Sequence, residues 1–256
     1  CKYRASVMHG LGFNLFPNGD EGVGRRSIRI MLTTEGQSEF SLYGLQDGVI
    51  MLSGTGSFVL GRNKEGRQRH YDGMGPILGD FGSGYSIGIK AAKHVIKVGW
   101  HPRHSTSLRE RVFQHFGIAS EGQLVTLSLS NPDRTVFASL ATIVNEEAEK
   151  GDAVAVKILK ESAGEICQTF HDVVTSLEME KDKYTLVGVG GVITNSRIYW
   201  DEVVSYVSKT APNFECVLEK RPPVLGVAVN GMREILRLDD AKTAALSRKI
   251  TESYYE

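Results

Sequence analysis

Residues 48–61 read GVIMLSGTGSFVLG, in which two apolar runs flank a glycine-rich turn. The apolar run 49–52 ends in Gly54-Thr55-Gly56, and a second apolar run begins at Phe58. Two such runs around a glycine turn predict a pair of buried strands joined by a hairpin. Because glycine lacks a Cβ, the N–H groups of the turn can converge on an anion, and the Thr55 hydroxyl adds a donor. The turn fits either a tight hairpin or a phosphate-binding loop, but no lysine follows it as in a Walker loop.

The composition narrows the class of protein. The 256 residues include 30 Lys plus Arg and 30 Asp plus Glu, so the formal net charge is zero, which disfavours nucleic-acid or anionic-membrane partners. Cys1, Cys167 and Cys216 have no metal-ligand spacing and form no even-numbered disulfide set, which favours a reducing, cytoplasmic setting. No apolar run reaches transmembrane length, and we expect no signal peptide.

The hydrophobic pattern predicts an α/β fold with a mixed sheet flanked by helices. The predicted strands are 27–33, 48–53, 57–62, 68–71, 183–189 and 215–219. The predicted helices are 83–98, 105–116, 131–150, 152–177, 199–210 and 224–236. Residues 1–26 are predicted to be loop, and the polar tail from residue 239 predicts a further helix or a frayed end.

Two further glycine-rich stretches follow the first. In DGMGPILGDFGSGYSIG, residues 72–88, Asp80 lies between glycines just before a predicted helix. Its carboxylate could cap the helix N-terminus or accept hydrogen bonds from sugar hydroxyls. Gly190 and Gly191 follow a predicted buried strand, where a flat ligand could lie against the backbone. No HExxH or GxSxG motif occurs, so we expect no metal site and no serine nucleophile.

Four stretches in order carry a resemblance to one family: GVIMLSGTGS, GPILGDFGSGYSIG, VGVGGVITNS and PPVLGVAVNGMREIL. They are similar to the N-acetylglucosamine kinase branch of the BadF/BadG/BcrA/BcrD ATPase family. The resemblance implies the ribonuclease-H-like fold of the actin-like, sugar-kinase superfamily, in which two lobes close over ATP and a sugar. It implies an N-terminal lobe segment at residues 1–47, a C-terminal lobe at 48–238 and a polar tail at 239–256.

The resemblance also assigns nucleotide-binding roles. Thr55 would contact the ATP phosphates, and Ala138 would lie near the nucleotide. Gly190 and Gly191 would form the turn that packs on adenosine. Mg²⁺ would accompany ATP, as it does in such kinases.

On the sugar side, the resemblance places Ser57 and Phe58 where the loop approaches the sugar, although the family usually carries an amide side chain at position 58. Gly73-Met74-Gly75 resembles the family's Gly-Trp-Gly sugar-binding turn, with methionine in place of the aromatic residue. Asp80 matches the carboxylate that binds sugar hydroxyls.

Glu35, in Thr33-Thr34-Glu35-Gly36, takes the position of the family's catalytic aspartate, 20 residues before Thr55. It would accept the proton of the attacking sugar hydroxyl while Mg·ATP is held in line. The glutamate stem is one methylene longer, and a displacement near 1 Å can lower a rate about a hundredfold. Glu35 therefore fits a working base, a sign of lost activity, or an exposed turn residue.

The start of the chain departs from the family. Only 34 residues precede Glu35, and none reads as the DGGGT-like hairpin that cradles ATP phosphates and helps to place Mg²⁺. We therefore expect most of the first lobe to be missing. Since phosphoryl transfer depends on positioning and electrostatic stabilisation, such a chain would be a poor kinase.

Three functions stay open at this point. The first is ATP-dependent phosphorylation of an amino sugar, N-acetylglucosamine or glucosamine, at O6. The second is a catalytically inactive nucleotide- or sugar-binding module, and the exposed helices would permit a homodimer. The third is the activator branch of the family, which reduces acyl-CoA dehydratases through an iron–sulfur cluster. The three scattered cysteines offer no thiolate pair for that cluster.

Overall fold

The computed structural model describes residues 35–131, 133–221 and 223–255. The loop predicted for residues 1–26 and the strand predicted for 27–33 lie outside the described residues. Within the described ranges, no helix is long and apolar enough to span a membrane.

The described chain begins with one helix and three successive strands, and a run of six helices precedes the last two strands. Their order and bounds are α1 (Glu35–Tyr43), β1 (Gly48–Ser53), β2 (Ser57–Arg62), β3 (Gln68–Asp72), α2 (Gly84–Val98), α3 (Leu108–Phe116), α4 (Glu121–Ser130), α5 (Arg134–Ala138), α6 (Leu140–Glu149), α7 (Ala153–Ser176), β4 (Tyr184–Val189), α8 (Gly191–Asn195), α9 (Arg197–Thr210), β5 (Phe214–Leu218), α10 (Pro223–Leu236) and α11 (Asp240–Tyr255). A short 3₁₀ turn, Pro102–His104, separates α2 from α3.

The strands form one mixed five-stranded sheet in the order β3-β2-β1-β4-β5. β1 pairs antiparallel with β2, with Ser53 opposite Ser57, and parallel with β4, with Leu52 beside Val189. β4 also runs parallel to β5. Because β1 and β4 are parallel neighbours, their carboxyl ends meet at one edge of the sheet, and the loops that follow them lie side by side.

Helices cover both faces of the sheet, so all six residues of β1 are buried. Val49 and Met51 join the larger core, which also contains side chains of α2, α6, α7 and α9. Ile50 and Leu52 point the other way and form a smaller core with Phe40 of α1. This two-sided burial explains why β1 reads as a continuous apolar run instead of an alternating one.

The sequence located most elements within a few residues. The long helix predicted at 152–177 is confirmed as α7, and its N-cap Asp152 accepts a hydrogen bond from the Ala155 N–H. Gly117 ends α3 in the left-handed conformation that glycine readily adopts. α3 begins at Leu108 and not at Ser105, because the preceding turn is tied to α7: the Thr106 hydroxyl donates to Asp152 at 2.8 Å.

The prediction of one helix over 131–150 is wrong. The segment contains two helices, α5 and α6, which meet at Ser139. The Ser139 hydroxyl lies 2.7 Å from the Val136 carbonyl, and this competing hydrogen bond favours a break in the helix. α5 begins only at Arg134, because Asp133 caps it by accepting from the Thr135 N–H. Helices α1, α4 and α8 were not predicted.

A matched pair of glycine substitutions tests the packing of α2. A Cβ on Gly88 would lie 1.8 Å from the Phe137 carbonyl oxygen of α5, whereas a Cβ on Gly164 in α7 would meet no atom within 4 Å. We expect Gly88→Ala to lower the free energy of unfolding by roughly 3 kcal/mol through overpacking. We expect Gly164→Ala to raise it by about 1 kcal/mol through helix propensity. Urea denaturation measures both, and equal tolerance of the two changes would contradict the close α2–α5 contact.

Candidate functional site

The candidate site lies at the sheet edge where β1 and β4 end. The three-residue loop 54–56 connects Ser53 to Ser57, and Gly190 follows β4. Gly190 has a φ of 91°, and a Cβ there would lie 2.5 Å from the Ser53 carbonyl oxygen. A side chain is therefore excluded at this position, and the two glycine turns touch through their backbones.

The first turn of α2 fixes the 54–56 loop. The Gly84 N–H donates to the Gly54 carbonyl at 2.7 Å, and the Tyr85 N–H donates to the Thr55 carbonyl at 3.2 Å. These are amides that a helix leaves without an internal partner. The Ser83 hydroxyl caps α2 by accepting from the Ser86 N–H. The 54–56 loop is therefore held in place by the N-terminus of α2.

Both glycine turns border a cavity of about 490 Å³. Three of the predicted nucleotide residues, Thr55, Ala138 and Gly191, line it, and Gly190 contacts Gly54 beside it. The full lining is Gly54, Thr55, Gly84, Thr135, Ala138, Ser139, Ala141, Thr142, Asn145, Leu159, Gly191, Val192, Asn195 and Ser196. Five helices, α2, α5, α6, α7 and α8, and the 54–56 loop thus build one concave site, and its lining carries no charged side chain.

The two glycines of the 54–56 loop serve different purposes, and neither has a positive φ. A Cβ on Gly56 would lie 2.7 Å from Asp80 Oδ1, so the protein itself excludes a side chain there. A Cβ on Gly54 would meet no protein atom within 4 Å, and on Gly191 the nearest atom would be Asn195 Nδ2 at 3.8 Å. Nothing in the described protein requires glycine at 54 or 191, yet both positions line the cavity.

Asp80 is buried at the base of the loop, only 3% exposed, in a left-handed conformation with φ of 58°. Its Oδ1 accepts from the Ser57 N–H at 3.1 Å, and its Oδ2 pairs with Arg134 Nη1 at 3.2 Å. The helix-capping interpretation of Asp80 is wrong, because Ser83 caps α2. The carboxylate instead faces the Gly56 side of the loop, with both oxygens engaged.

Asp72, at the end of β3, holds Asp80 in this position, and the sequence did not reveal that role. Its Oδ1 accepts from the Asp80 N–H at 2.6 Å, and its Oδ2 accepts from the Phe81 N–H at 2.8 Å. The Ser57 hydroxyl lies 3.2 Å from Asp72 Oδ2 and 2.8 Å from the Phe81 carbonyl. Asp72 adopts a φ of 69° to do this. The only local signal was the Asp72-Gly73 dipeptide, which is typical of turns.

The Gly82 carbonyl attaches the 73–83 loop to β1 and α9. The Ser53 hydroxyl and the Tyr199 hydroxyl of α9 both donate to it at 2.8 Å. Burial raises the pKa of Tyr199, so its hydroxyl stays protonated and remains a donor. The second glycine cluster is therefore attached to β1 and to α9 at a single carbonyl oxygen.

Of the remaining predicted sugar residues, Gly73 lies beside Phe58 of β2, where a Cβ on the glycine would be 3.6 Å from Phe58 Cβ. The Phe58 ring packs edge-on against His70 with centroids 4.9 Å apart, and burial lowers the pKa of His70 although Asp72 opposes the shift. Gly73 and Gly75 have φ of 73° and 80°, and Met74 between them is 68% exposed.

Glu35, the predicted base, is the first residue of α1, and its side chain lies outside the described residues. The exposed-turn interpretation is wrong for the backbone, which is helical here. Gly36 is buried, and a Cβ on it would lie 2.6 Å from Leu60 Cδ2 and 3.1 Å from Phe58 Cε2. The N-terminus of α1 therefore packs on β2 beside Phe58.

The described residues do not fit a resident metal ion. Among them, no group of three or more His, Cys, Asp or Glu side chains could hold one. The cavity lining also lacks a carboxylate. The hydroxyl and amide oxygens of these walls carry no negative charge that could hold a magnesium ion by themselves.

A mixed sheet flanked by helices, with two glycine turns at the end of parallel strands, defines an α/β protein of the actin-like ATPase fold. The chain belongs to the BadF/BadG/BcrA/BcrD ATPase family, whose model matches residues 25–229. The predicted family and fold class are confirmed.

Two curated relatives carry kinase names. The chain is 36% identical over 185 residues to an N-acetylmuramic acid/N-acetylglucosamine kinase of Clostridium acetobutylicum. This match covers 72% of this chain and 60% of the relative. It is 31% identical over 185 residues to an N-acetyl-D-glucosamine kinase of Dictyostelium discoideum, which covers 71% and 58%. The matches thus span about 60% of the length of these relatives.

Two solved structures share the fold. One is described as a candidate N-acetylglucosamine kinase of Chromobacterium violaceum, with a TM-score of 0.57 at 21% identity over 75% of this chain and 62% of that chain. The other, described in the same way, is from Porphyromonas gingivalis, with a TM-score of 0.53 at 18% identity over 75% and 62%. At these identities the likeness concerns the fold alone.

Two substitutions of Asp72 separate its hydrogen bonds from its backbone strain. We expect Asp72→Ala and Asp72→Gly both to destabilise the 73–83 loop, because the Asp80 and Phe81 amides lose their acceptor. Asp72→Gly should retain about 1 kcal/mol more stability than Asp72→Ala, since glycine adopts a positive φ without strain. Urea denaturation measures the difference, and hydrogen exchange of the Phe81 amide should accelerate in both variants. An unchanged exchange rate would contradict the role of Asp72.

Proposed function

We propose that this chain is an ATP-dependent kinase that phosphorylates an amino sugar, N-acetylglucosamine or a close relative, at the O6 hydroxyl. One observation carries the proposal: the 54–56 loop has an uncharged cavity on one side and the buried Asp80 carboxylate on the other. The kinase names of the two curated relatives support the choice of reaction and substrate.

The cavity suits a nucleotide. Its volume of about 490 Å³ is within the usual range for small-molecule sites. Gly54 and Gly191 have room for a side chain but lack one, so a ligand can approach the backbone at both positions. Thr55 is exposed at the wall, where its hydroxyl can donate to a phosphate oxygen. The N-terminus of the 15-residue helix α2 lies directly behind the loop and favours negative charge.

The acceptor sugar would lie on the Asp80 side. Thr55 lines the cavity, and its neighbour Gly56 contacts Asp80, so donor and acceptor would be separated by one residue of loop. Phosphoryl transfer depends on such in-line placement, because the protein supplies positioning more than covalent chemistry. Asp80 would accept a hydrogen bond from a sugar hydroxyl, and Glu35 would accept the proton of the attacking hydroxyl.

ATP is proposed as the phosphoryl donor, with Mg²⁺ as its counter-ion. When bound with ATP, Mg²⁺ would neutralise part of the negative charge of the phosphates.

A second candidate function is a nucleotide- or sugar-binding module without catalysis. The site proposed for the sugar favours this second function, because both Asp80 oxygens and the Ser57 hydroxyl already have hydrogen-bond partners within the protein. In this case ligands would bind without phosphoryl transfer.

A coupled ADP-release assay tests the kinase function with N-acetylglucosamine and Mg·ATP, beside calorimetry with each ligand. We expect turnover that Asp80→Asn abolishes. Binding of both ligands without turnover would favour the binding module. Absence of binding by either ligand would contradict both functions.

A single methyl group tests the nucleotide assignment. We expect Gly54→Ala to weaken Mg·ADP binding at least about tenfold, because its Cβ would enter the space of the ligand. The free energy of unfolding should stay within about 0.5 kcal/mol of the parent, as at a site without contacts. Gly122→Ala is the matched control, since its Cβ would meet only Ser120 Oγ at 3.8 Å and lies outside the cavity lining. Equal ADP affinity in both variants would contradict a nucleotide at Gly54.

A further inference from the structure

The cavity lining is uncharged, although a nucleoside triphosphate carries several negative charges. None of the lining residues is a lysine or an arginine. Phosphoryl-transfer sites commonly place an arginine or lysine where charge develops on the transferred group. A cation next to the lining is therefore the feature to look for in the described part of the chain.

Arg134 is the cation in the right place. It immediately precedes Thr135 on α5, and Thr135 and Ala138 of the same short helix line the cavity. Its side chain reaches away from α5 to Asp80, with Nη1 3.2 Å from Oδ2. Oδ1 of the Asp80 carboxylate lies against Gly56, on the side of the 54–56 loop proposed for the sugar. The guanidinium on Oδ2 therefore lies between that side and the cavity.

The two side chains of the Arg134–Asp80 ion pair differ in their exposure to solvent. The Arg134 side chain is 48% exposed, whereas the Asp80 side chain is 4% exposed. A guanidinium has five N–H donors, and the recorded bond to Asp80 uses one nitrogen of the three. The arginine can therefore bind a second acceptor or swing to a new one. The Asp80 carboxylate is instead held by the Ser57 N–H, and the Asp80 backbone is held by its N–H, which donates to the Asp72 carboxylate.

Two other cations near the cavity are less suited. Lys90 is engaged on α7, where its ammonium lies 2.8 Å from Ser162 Oγ and 2.6 Å from Glu165 Oε2. Arg197 follows the lining residue Ser196, at the Gly191 end of the cavity, and pairs with Asp201 of its own helix at 3.4 Å. Neither is tied to the loop that carries Thr55.

We propose that Arg134 exchanges partners during binding and is a residue that binds the terminal phosphate of ATP. In the structure it pairs with Asp80. When ATP binds, the guanidinium turns to the terminal phosphate and leaves Asp80 Oδ2 to a sugar hydroxyl. This inference rests on the proposed function. Because coupling between two sites is reciprocal, the triphosphate raises the affinity for the sugar, and the sugar raises the affinity for the triphosphate.

Calorimetry with a nucleotide series tests this role. The parent and Arg134→Gln are titrated with AMP, ADP and a non-hydrolysable ATP analogue, each with Mg²⁺. We expect Arg134→Gln to weaken binding of the ATP analogue by about 10- to 100-fold, the usual effect of one charge-assisted hydrogen bond, and to leave AMP binding unchanged. Arg134→Lys should restore part of the loss.

Arg67→Gln is the matched control. Arg67 is also 48% exposed and pairs with Glu178 at 2.9 Å, but it lies in the β2–β3 hairpin. We expect its nucleotide affinities to equal those of the parent. A loss of equal size for AMP and for the ATP analogue in Arg134→Gln, or no loss at all, would overturn the inference. Loss of ATP-analogue binding in Arg197→Gln instead of Arg134→Gln would also overturn it.

Removal of Arg134 leaves a buried carboxylate without its cation, which can destabilise the fold. The double variant Asp80→Asn/Arg134→Gln avoids this charge, and its loss of ATP-analogue affinity relative to Asp80→Asn should exceed the loss of Arg134→Gln relative to the parent, because Asp80 no longer competes for the guanidinium. Asp80→Asn alone should bind the ATP analogue more tightly than the parent, because the competing partner of Arg134 is gone; weaker binding would overturn the partner exchange.

If the parent binds no nucleotide, the proposed function fails as well. If the parent phosphorylates the sugar and Arg134→Gln retains parental affinity for the ATP analogue, only this inference fails.

Discussion

Two backbone hydrogen bonds, from the Gly84 and Tyr85 amides to the Gly54 and Thr55 carbonyls, connect the sheet to the helical layer at the site. They use amides that a helix N-terminus otherwise leaves to solvent or ligand. Because the loop carbonyls bind the helix, the loop cannot rotate freely, and its cavity face is fixed before any ligand arrives. Such preorganisation lowers the ordering cost of binding. The position of α2 is in turn fixed at Gly88, where α5 crosses it within contact of the backbone.

The parallel pairing of β1 and β4 is what brings a second turn to this loop. The two strands are separated by about 130 residues of sequence, and both end at the same sheet edge. The contact of Gly190 with the Ser53 carbonyl leaves no room for a side chain, so the two turns form one continuous floor. The topology of the sheet, and not either turn alone, therefore makes the cavity.

The sequence predicted the elements that have a strong local pattern and missed those that depend on distant contacts. The strand pair around Gly54, the long helix α7 and the glycine turn after β4 each carry an apolar run or a cap that can be recognised in isolation. The break between α5 and α6 depends on the Ser139 hydroxyl, and the glycine at position 56 depends on Asp80, 24 residues later. The Asp80–Arg134 pair joins residues 54 positions apart, and no local pattern predicts such a partner.

The 54–56 loop has the cavity on one side and Asp80 on the other. On the Asp80 side the polar groups already have hydrogen-bond partners within the protein. Asp80 is buried and bonded to Ser57 and Arg134, so most of the loss of hydration of that carboxylate has occurred during folding. A ligand that binds there exchanges one hydrogen bond for another and does not have to strip water from a free charge. The exchange is favourable only for a partner that donates a hydrogen bond in the place of the guanidinium, because a carboxylate left buried without a donor is strongly unfavourable. The pairing of Asp80 therefore also selects ligands that carry hydroxyl donors at this point.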